Sequence, residues 1–195
     1  MARAKRLCPA MGHTAVNERM NNKGCVHIYY GDGKGKTTAA VGLGVRAAGA
    51  GLKVLIYQFL KDNSSSECSI LKNVPGITLI DGKKQTKFTF NMTPEEKEES
   101  GRFYRAAFKT VTDMAVKENY DVLLLDEILH VVNNQMLPEA NLLRFLEKRP
   151  GRMEVIITGY NPSKTLIEHA DYVSHIIKEK HPFDQNLKAR VGIEK

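Results

Sequence analysis

A β-branched and aromatic run, Val26-His27-Ile28-Tyr29-Tyr30, stops on Gly31-Asp32-Gly33-Lys34-Gly35-Lys36-Thr37-Thr38. Behind it, residues 37–50 are small and apolar, too many for a strand, and close on Gly49 and Gly51 as a helix does. Strand, glycine-rich turn and helix in that order limit the chain more than any other feature. Glycines at such a junction let backbone N–H groups converge on an anion, and the positive end of the helix completes the site. The order therefore predicts a bound phosphate chain, and nucleotide binding is the first functional expectation. A ligand-free glycine turn explains neither neighbour.

Gly35-Lys36-Thr37 matches the end of the Walker A pattern G-x-x-x-x-G-K-S/T, which assigns Lys36 to the β/γ-phosphate oxygens and the Thr37 hydroxyl to Mg²⁺. The start does not match: the first glycine falls at 30, where Tyr30 stands, and glycines occupy 31, 33 and 35 instead. Such a loop also needs a metal-holding acid at the end of a neighbouring strand. Asp126-Glu127, closing the apolar run from Val122 to Leu125, has that form. The two acids divide contact with the metal and support of it between them, in an order the sequence leaves open.

Apolar runs alternate with helical stretches along the rest of the chain. Strands are expected over residues 53–60, 77–80, 121–126 and 154–158, with an edge strand over 172–177. Helices are expected from Thr93-Pro94-Glu95-Glu96 to about Asn119, over residues 138–148 and over 162–169; residues 61–69 read as a surface loop. Near-continuous apolar strands between helices mean a parallel sheet covered on both faces. The expected class is α/β, a three-layer P-loop NTPase-like domain with a mostly parallel central sheet. It spans residues 24–195 behind a basic leader, 1–23, that is partly disordered or caps a site.

Composition narrows the partners. The 195 residues carry a formal charge of +7, and residues 1–26 supply five Lys and Arg against one acid, more than half of that excess. A nucleic-acid-binding domain shows its basic face on the folded body, so no nucleic-acid partner is expected. No apolar run approaches the roughly 18–20 residues of a membrane span. Cys8, Cys25 and Cys68 are odd in number and form no C-x-x-C pair, which fits a reducing cytoplasm. The six histidines show no zinc spacing.

From about Gly24 to Glu194 the chain resembles the P-loop ATP:corrinoid adenosyltransferases, the cob(I)yrinic acid a,c-diamide adenosyltransferases. The loop with glycines at alternate positions looks like that family's own variant. Similar too are Arg46-Ala47-Ala48-Gly49-Ala50-Gly51, the run from Val54 to Lys61 ending Q-F-L-K, Leu125-Asp126-Glu127, Arg149-Pro150-Gly151 and Ile157-Thr158-Gly159. Ala170-Asp171, Lys180-His181-Pro182-Phe183 and Lys188-Ala189-Arg190-Val191-Gly192-Ile193-Glu194 also fit.

The resemblance implies transfer of the 5′-deoxyadenosyl group of ATP to the Co(I) of a reduced corrinoid, with the whole tripolyphosphate leaving. Reduced cobalt brings its own electron pair, so no general base is needed. Lys36, Thr37 and Glu127 are the implied catalytic residues, with Mg²⁺ on Thr37, Glu127 and Asp126. Gly31, Asp32, Gly33, Lys34, Gly35, Lys36, Thr37, Thr38 and Arg46 are implied for ATP, which lies reversed in the family's loop. Phe88 and Phe90 in Phe88-Thr89-Phe90 are implied for the corrinoid, where many members carry Phe-Thr-Trp; without the resemblance the alternation reads as one packed strand face. Tyr160 stands where many relatives have arginine, and Lys164 or the leader are candidates to compensate. A homodimer and an electron-donating reductase such as a flavodoxin are implied partners. The competing readings are a small-molecule kinase or ATPase, whose arginine-rich lid Arg105, Arg144, Arg149 and Arg152 do not form, and a nucleotide-gated switch, which leaves the motifs over 180–183 and 188–194 without a role.

Overall fold

The computed structural model describes residues 23–61, 65–82 and 92–194. Six strands form one sheet: β1 Val26–Tyr30, β2 Val54–Gln58, β3 Ile77–Ile80, β4 Val122–Asp126, β5 Glu154–Gly159 and β6 Tyr172–His175, in the spatial order β3-β2-β4-β5-β1-β6. All five pairings are parallel. The strands' carboxyl ends therefore lie along one edge, the edge where open α/β sheets bind ligands.

Every residue of β2 and β4 is buried, which is why both read as unbroken apolar runs. Alternate side chains serve opposite faces. Leu123, Leu125 and Ile157 pack with the long helix α3 Pro94–Lys117 and its neighbours, whereas Val54, Ile56, Leu124 and Ile156 pack under α1 Lys36–Gly49. The buried face of α1 is Ala40, Gly44 and Ala47. These small residues seat the helix close to the sheet and so fix the loop that precedes it.

Helix α3 starts as its sequence predicts. The Thr93 hydroxyl accepts from the Glu96 N–H at 3.3 Å, and the Glu96 carboxylate accepts from the Thr93 N–H at 2.9 Å, a reciprocal capping box with Pro94 at the first helical position. Helices α5 Glu139–Lys148 and α6 Lys164–His169 also occupy expected segments, α6 beginning after the Ser163 cap.

Two short helices were not expected. α2 Ser66–Leu71 overlaps the end of the stretch read as a surface loop, and α4 Ile128–Asn133 follows β4 after Glu127. Each has six residues, too few to hold a helix without tertiary support. Cys68 and Leu71 anchor α2; Ile128, Leu129, Val131 and Val132 anchor α4.

The edge strand β6 is parallel to β1 and exposed throughout. Its rings lie over those of β1, Tyr172 on His27 and His175 on Tyr30, with centroids 4.6 and 4.4 Å apart. No described helix is long and apolar enough to cross a membrane.

Candidate active site

The glycine-rich loop is pinned on both sides. The Gly31 N–H donates to Gly159 O at 3.2 Å and the Gly33 N–H to Ile176 O at 2.9 Å. Gly31 sits at φ 124°, and a Cβ there would lie 2.2 Å from Ile176 O. Only glycine fits both the conformation and the space. Gly31→Ala is expected to lower the free energy of unfolding by about 2 kcal/mol or more, read by urea titration; an unchanged midpoint would show that the loop relaxes freely. Gly35, at φ 116°, caps α1, whose first turn carries no acidic residue. Its N–H groups and positive dipole end are left for an outside anion.

Lys36, at the first position of α1, folds its amine back onto Gly33 O at 2.8 Å. Thr37 points the other way and donates to Asp126 Oδ1 at 2.9 Å. Asp126 ends β4 fully buried with both oxygens occupied. Oδ1 also accepts from Thr158 at 2.7 Å, and Oδ2 accepts from Gln58 at 3.2 Å and Lys61 at 2.9 Å. Burial pulls the Lys61 amine toward neutrality, but Asp126, with Glu127 and Glu67, outweighs it and raises the pKa.

Glu127 takes a left-handed backbone at φ 63°, a conformation that costs a residue of this type energy and that active sites retain. Its N–H donates to the Thr158 hydroxyl at 2.9 Å, so Thr158 holds both acids at once. The Glu127 carboxylate meets His130 Nε2 at 2.9 Å. Burial pushes its pKa up, yet His130, Lys61 and Lys36 together bring it below the ordinary carboxylate value.

Loop and acid open on a cleft of about 310 Å³. Residues 32–38 form one wall with Glu127, and residues 181–183, 187–189 and 193–194 form the other. A second cleft of about 710 Å³, bounded by Lys61 and Glu67, shares Thr37, Thr38 and Glu194 with the first.

The structure thus brings Asp32, Gly33, Lys34, Gly35, Lys36, Thr37, Thr38 and Glu127 together, with Gly31 and Asp126 buried immediately behind. It does not bring Arg46. That side chain is exposed in the last turn of α1, ten residues past Lys36, or about 15 Å along the helix axis. The motif around Arg46 serves the helix end instead: the N–H groups of Ala50 and Gly51 bond back to the carbonyls of Arg46, Ala47 and Ala48. Phe88 and Phe90 lie outside the described residues. Tyr160 is exposed beside Asn133, and Lys164 pairs with Glu168 on the surface, away from either cleft.

Sequence reasoning missed Gln58, Lys61, Thr158 and His130. Gln58 and Lys61 belong to Q-F-L-K and Thr158 to Ile157-Thr158-Gly159, runs that matched a family pattern without suggesting a contact. Only the fold brings them to Asp126 and Glu127.

Comparison with known families decides among the nucleotide chemistries that this cleft permits. The model of the family "ATP:corrinoid adenosyltransferase BtuR/CobO/CobP" matches residues 22–194. The chain belongs to this family. It is 32% identical over 179 residues to a corrinoid adenosyltransferase of Escherichia coli K12, covering 92% of this chain and 89% of the relative. The corrinoid adenosyltransferase CobA of Salmonella typhimurium is 31% identical over the same shares of both chains. A corrinoid adenosyltransferase of Pseudomonas aeruginosa is 26% identical, with 92% and 87% covered. This chain is accordingly an enzyme whose substrates are ATP and a corrinoid.

Proposed function

We propose that the cleft holds the triphosphate of MgATP along residues 31–38 and presents C5′ to the Co(I) of a reduced corrinoid. The cobalt electron pair forms the bond to C5′ as the C5′–oxygen bond breaks, and tripolyphosphate leaves with the released electrons. The observation that carries this reading is the convergence of a helix N-terminus, Lys34, Lys36 and the Thr37–Asp126 contact on one cleft beside Glu127. A leaving group of three phosphates needs charge stabilisation along its length, which such donors supply.

The oxygen donors suit Mg²⁺. That ion binds through one or two carboxylates together with substrate phosphates and water, rather than in an all-protein cage. Among the described residues no cluster of three or more His, Cys, Asp or Glu side chains is placed to hold a metal, and Thr37 and Glu127, which both line the cleft, are the donors assigned to the ion. Asp126, its oxygens already accepting four hydrogen bonds, positions the Thr37 hydroxyl instead of facing the ion. When bound, Mg²⁺ supplies neutralising charge to the departing triphosphate. Lys36 moves its amine from Gly33 O to a phosphate oxygen, and His130 holds Glu127 in place.

Phe88 and Phe90 are assigned to the corrinoid, helping to make Co(II) reducible. Phe90→Ala is expected to lose much more activity in assays starting from Co(II) than in those starting from chemically reduced Co(I). Equal losses in the two assays would make Phe90 a packing residue. We assign the enzyme a homodimeric state, an external reductase such as a flavodoxin and a cytoplasmic location; the free thiols of Cys25 and Cys68 accord with the last. Phosphorus NMR of the spent reaction tests the assignment of the leaving group. Tripolyphosphate in step with adenosylcorrinoid is the expected result. ADP or orthophosphate without adenosylcorrinoid would make the chain a kinase or ATPase.

A further inference from the structure

The wall of the cleft opposite the loop comes from residues 181–194, which carry some of the family likeness but had no assigned role. They follow a segment anchored to the loop itself. The Ile176 N–H donates to Tyr30 O at 2.7 Å, Ile176 O accepts from the Gly33 N–H, and the Lys178 N–H donates to Asp32 Oδ1 at 3.0 Å. Local contacts then shape the wall. Lys178 pairs with Asp184 at 3.0 Å, and His181 Nδ1 accepts from the Phe183 N–H, capping the single turn Pro182–Gln185. Arg190 closes the far end on Glu194 through its backbone N–H at 2.8 Å, Nε at 3.2 Å and Nη2 at 2.8 Å.

The charges on the cleft are unevenly committed. Three acids line it, and each already has a partner: Asp32 the Lys178 N–H, Glu127 the His130 ring, Glu194 the Arg190 guanidinium. The Arg190 hydrogen bonds hold the Glu194 carboxyl down at about 2, so it stays an anion that Arg190 offsets. Three lysines line the same cleft. Lys36 rests on Gly33 O and Lys34 stands near Glu194, whereas Lys188, on the opposite wall, has no ion-pair partner among the described residues. An anion lying along the loop therefore passes between Lys36 on one side and Lys188 on the other.

We propose that residues 176–194 are a built wall of the triphosphate site, that Lys188 is the phosphate-binding cation they contribute, and that the Arg190–Glu194 clasp sets its position. The ligand in this assignment rests on the function proposed above. An ammonium on a flexible stem suits a triphosphate whose oxygens spread along the cleft.

The test is calorimetric titration of the full chain with magnesium and inorganic tripolyphosphate, with no corrinoid present. Lys188→Ala is expected to weaken binding about tenfold, the size of one charge-assisted hydrogen bond, while Lys188→Arg keeps most of the affinity. Binding by Lys188→Ala equal to that of the unsubstituted chain would overturn the assignment of Lys188. Glu194→Gln separates a positioned wall from charge alone. Removing a negative charge by itself tightens anion binding, whereas loosening the clasp weakens it; weaker binding is expected, and tighter binding would overturn the role of the clasp. A chain that binds tripolyphosphate through Lys188 yet forms no adenosylcorrinoid would overturn the proposed reaction and leave this assignment standing.

Discussion

Lys36→Ala is expected to abolish adenosyl transfer while the domain stays folded. The amine is the loop's own side-chain cation at the first turn of α1, and among the described residues its one hydrogen bond is to Gly33 O. Losing that hydrogen bond costs on the order of 1 kcal/mol, and alanine, the best helix former, returns part of it. The catalytic loss is far larger. Removing one preorganised donor from a developing anion typically costs 10²–10³-fold in kcat, and here the departing charge is spread over a whole triphosphate, so a fall of roughly 10³-fold is the expectation. Single-turnover kinetics with pre-reduced corrinoid, paired with a melting curve, read both quantities. Turnover within a few-fold of the unsubstituted chain would remove Lys36 from the chemistry.

Asp126→Ala is expected to fail in the opposite way, by loss of stability first. Asp126 is 0% exposed and accepts from Thr37, Thr158, Gln58 and Lys61, the last only 28% exposed at its side chain. Truncation leaves a largely buried ammonium without its counter-charge and three polar groups without their acceptor. Breaking a buried pair from one side costs about 3–5 kcal/mol, a large share of the roughly 5–15 kcal/mol that holds a domain together. For a domain of this size the melting temperature should fall on the order of 10 °C. Adding Lys61→Met removes the stranded charge, so the double variant should recover part of the loss. Unchanged melting in Asp126→Ala would mean that the four contacts contribute little. A double variant no better than the single one would place the cost elsewhere than in Lys61.

All six strands were legible in the sequence: β2 and β4 because parallel strands buried on both faces must be apolar along their length, the partly buried β3 and the exposed β6 as short runs rich in β-branched or aromatic residues. Their spatial order was not, since nothing local tells β4 to lie beside β2 and β5. The short helices α2 and α4 were hidden for a related reason: six residues carry too little periodicity, and tertiary burial of Leu71 or Leu129 decides them.

At the site, the loop was readable because unusual dihedrals at Gly31 and Gly35 demand glycine. The four partners of Asp126 were not, because Thr37, Gln58, Lys61 and Thr158 come from three separate strand ends and meet only when the sheet forms. The same holds for which acid faces the cleft. Both are carboxylates in sequence, and burial with four donors separates Asp126 from the cleft-lining Glu127. Arg46, implied by the family likeness alone, lies in the last turn of α1 and lines neither cleft.

The most direct measurement mixes the purified chain anaerobically with MgATP and chemically reduced cob(I)alamin and follows the visible spectrum, with Lys36→Ala as the control. A spectrum of adenosylcobalamin that collapses on exposure to light, formed by the unsubstituted chain and not by Lys36→Ala, is the predicted result. ATP bound by the unsubstituted chain, with cob(I)alamin left unadenosylated, would contradict it.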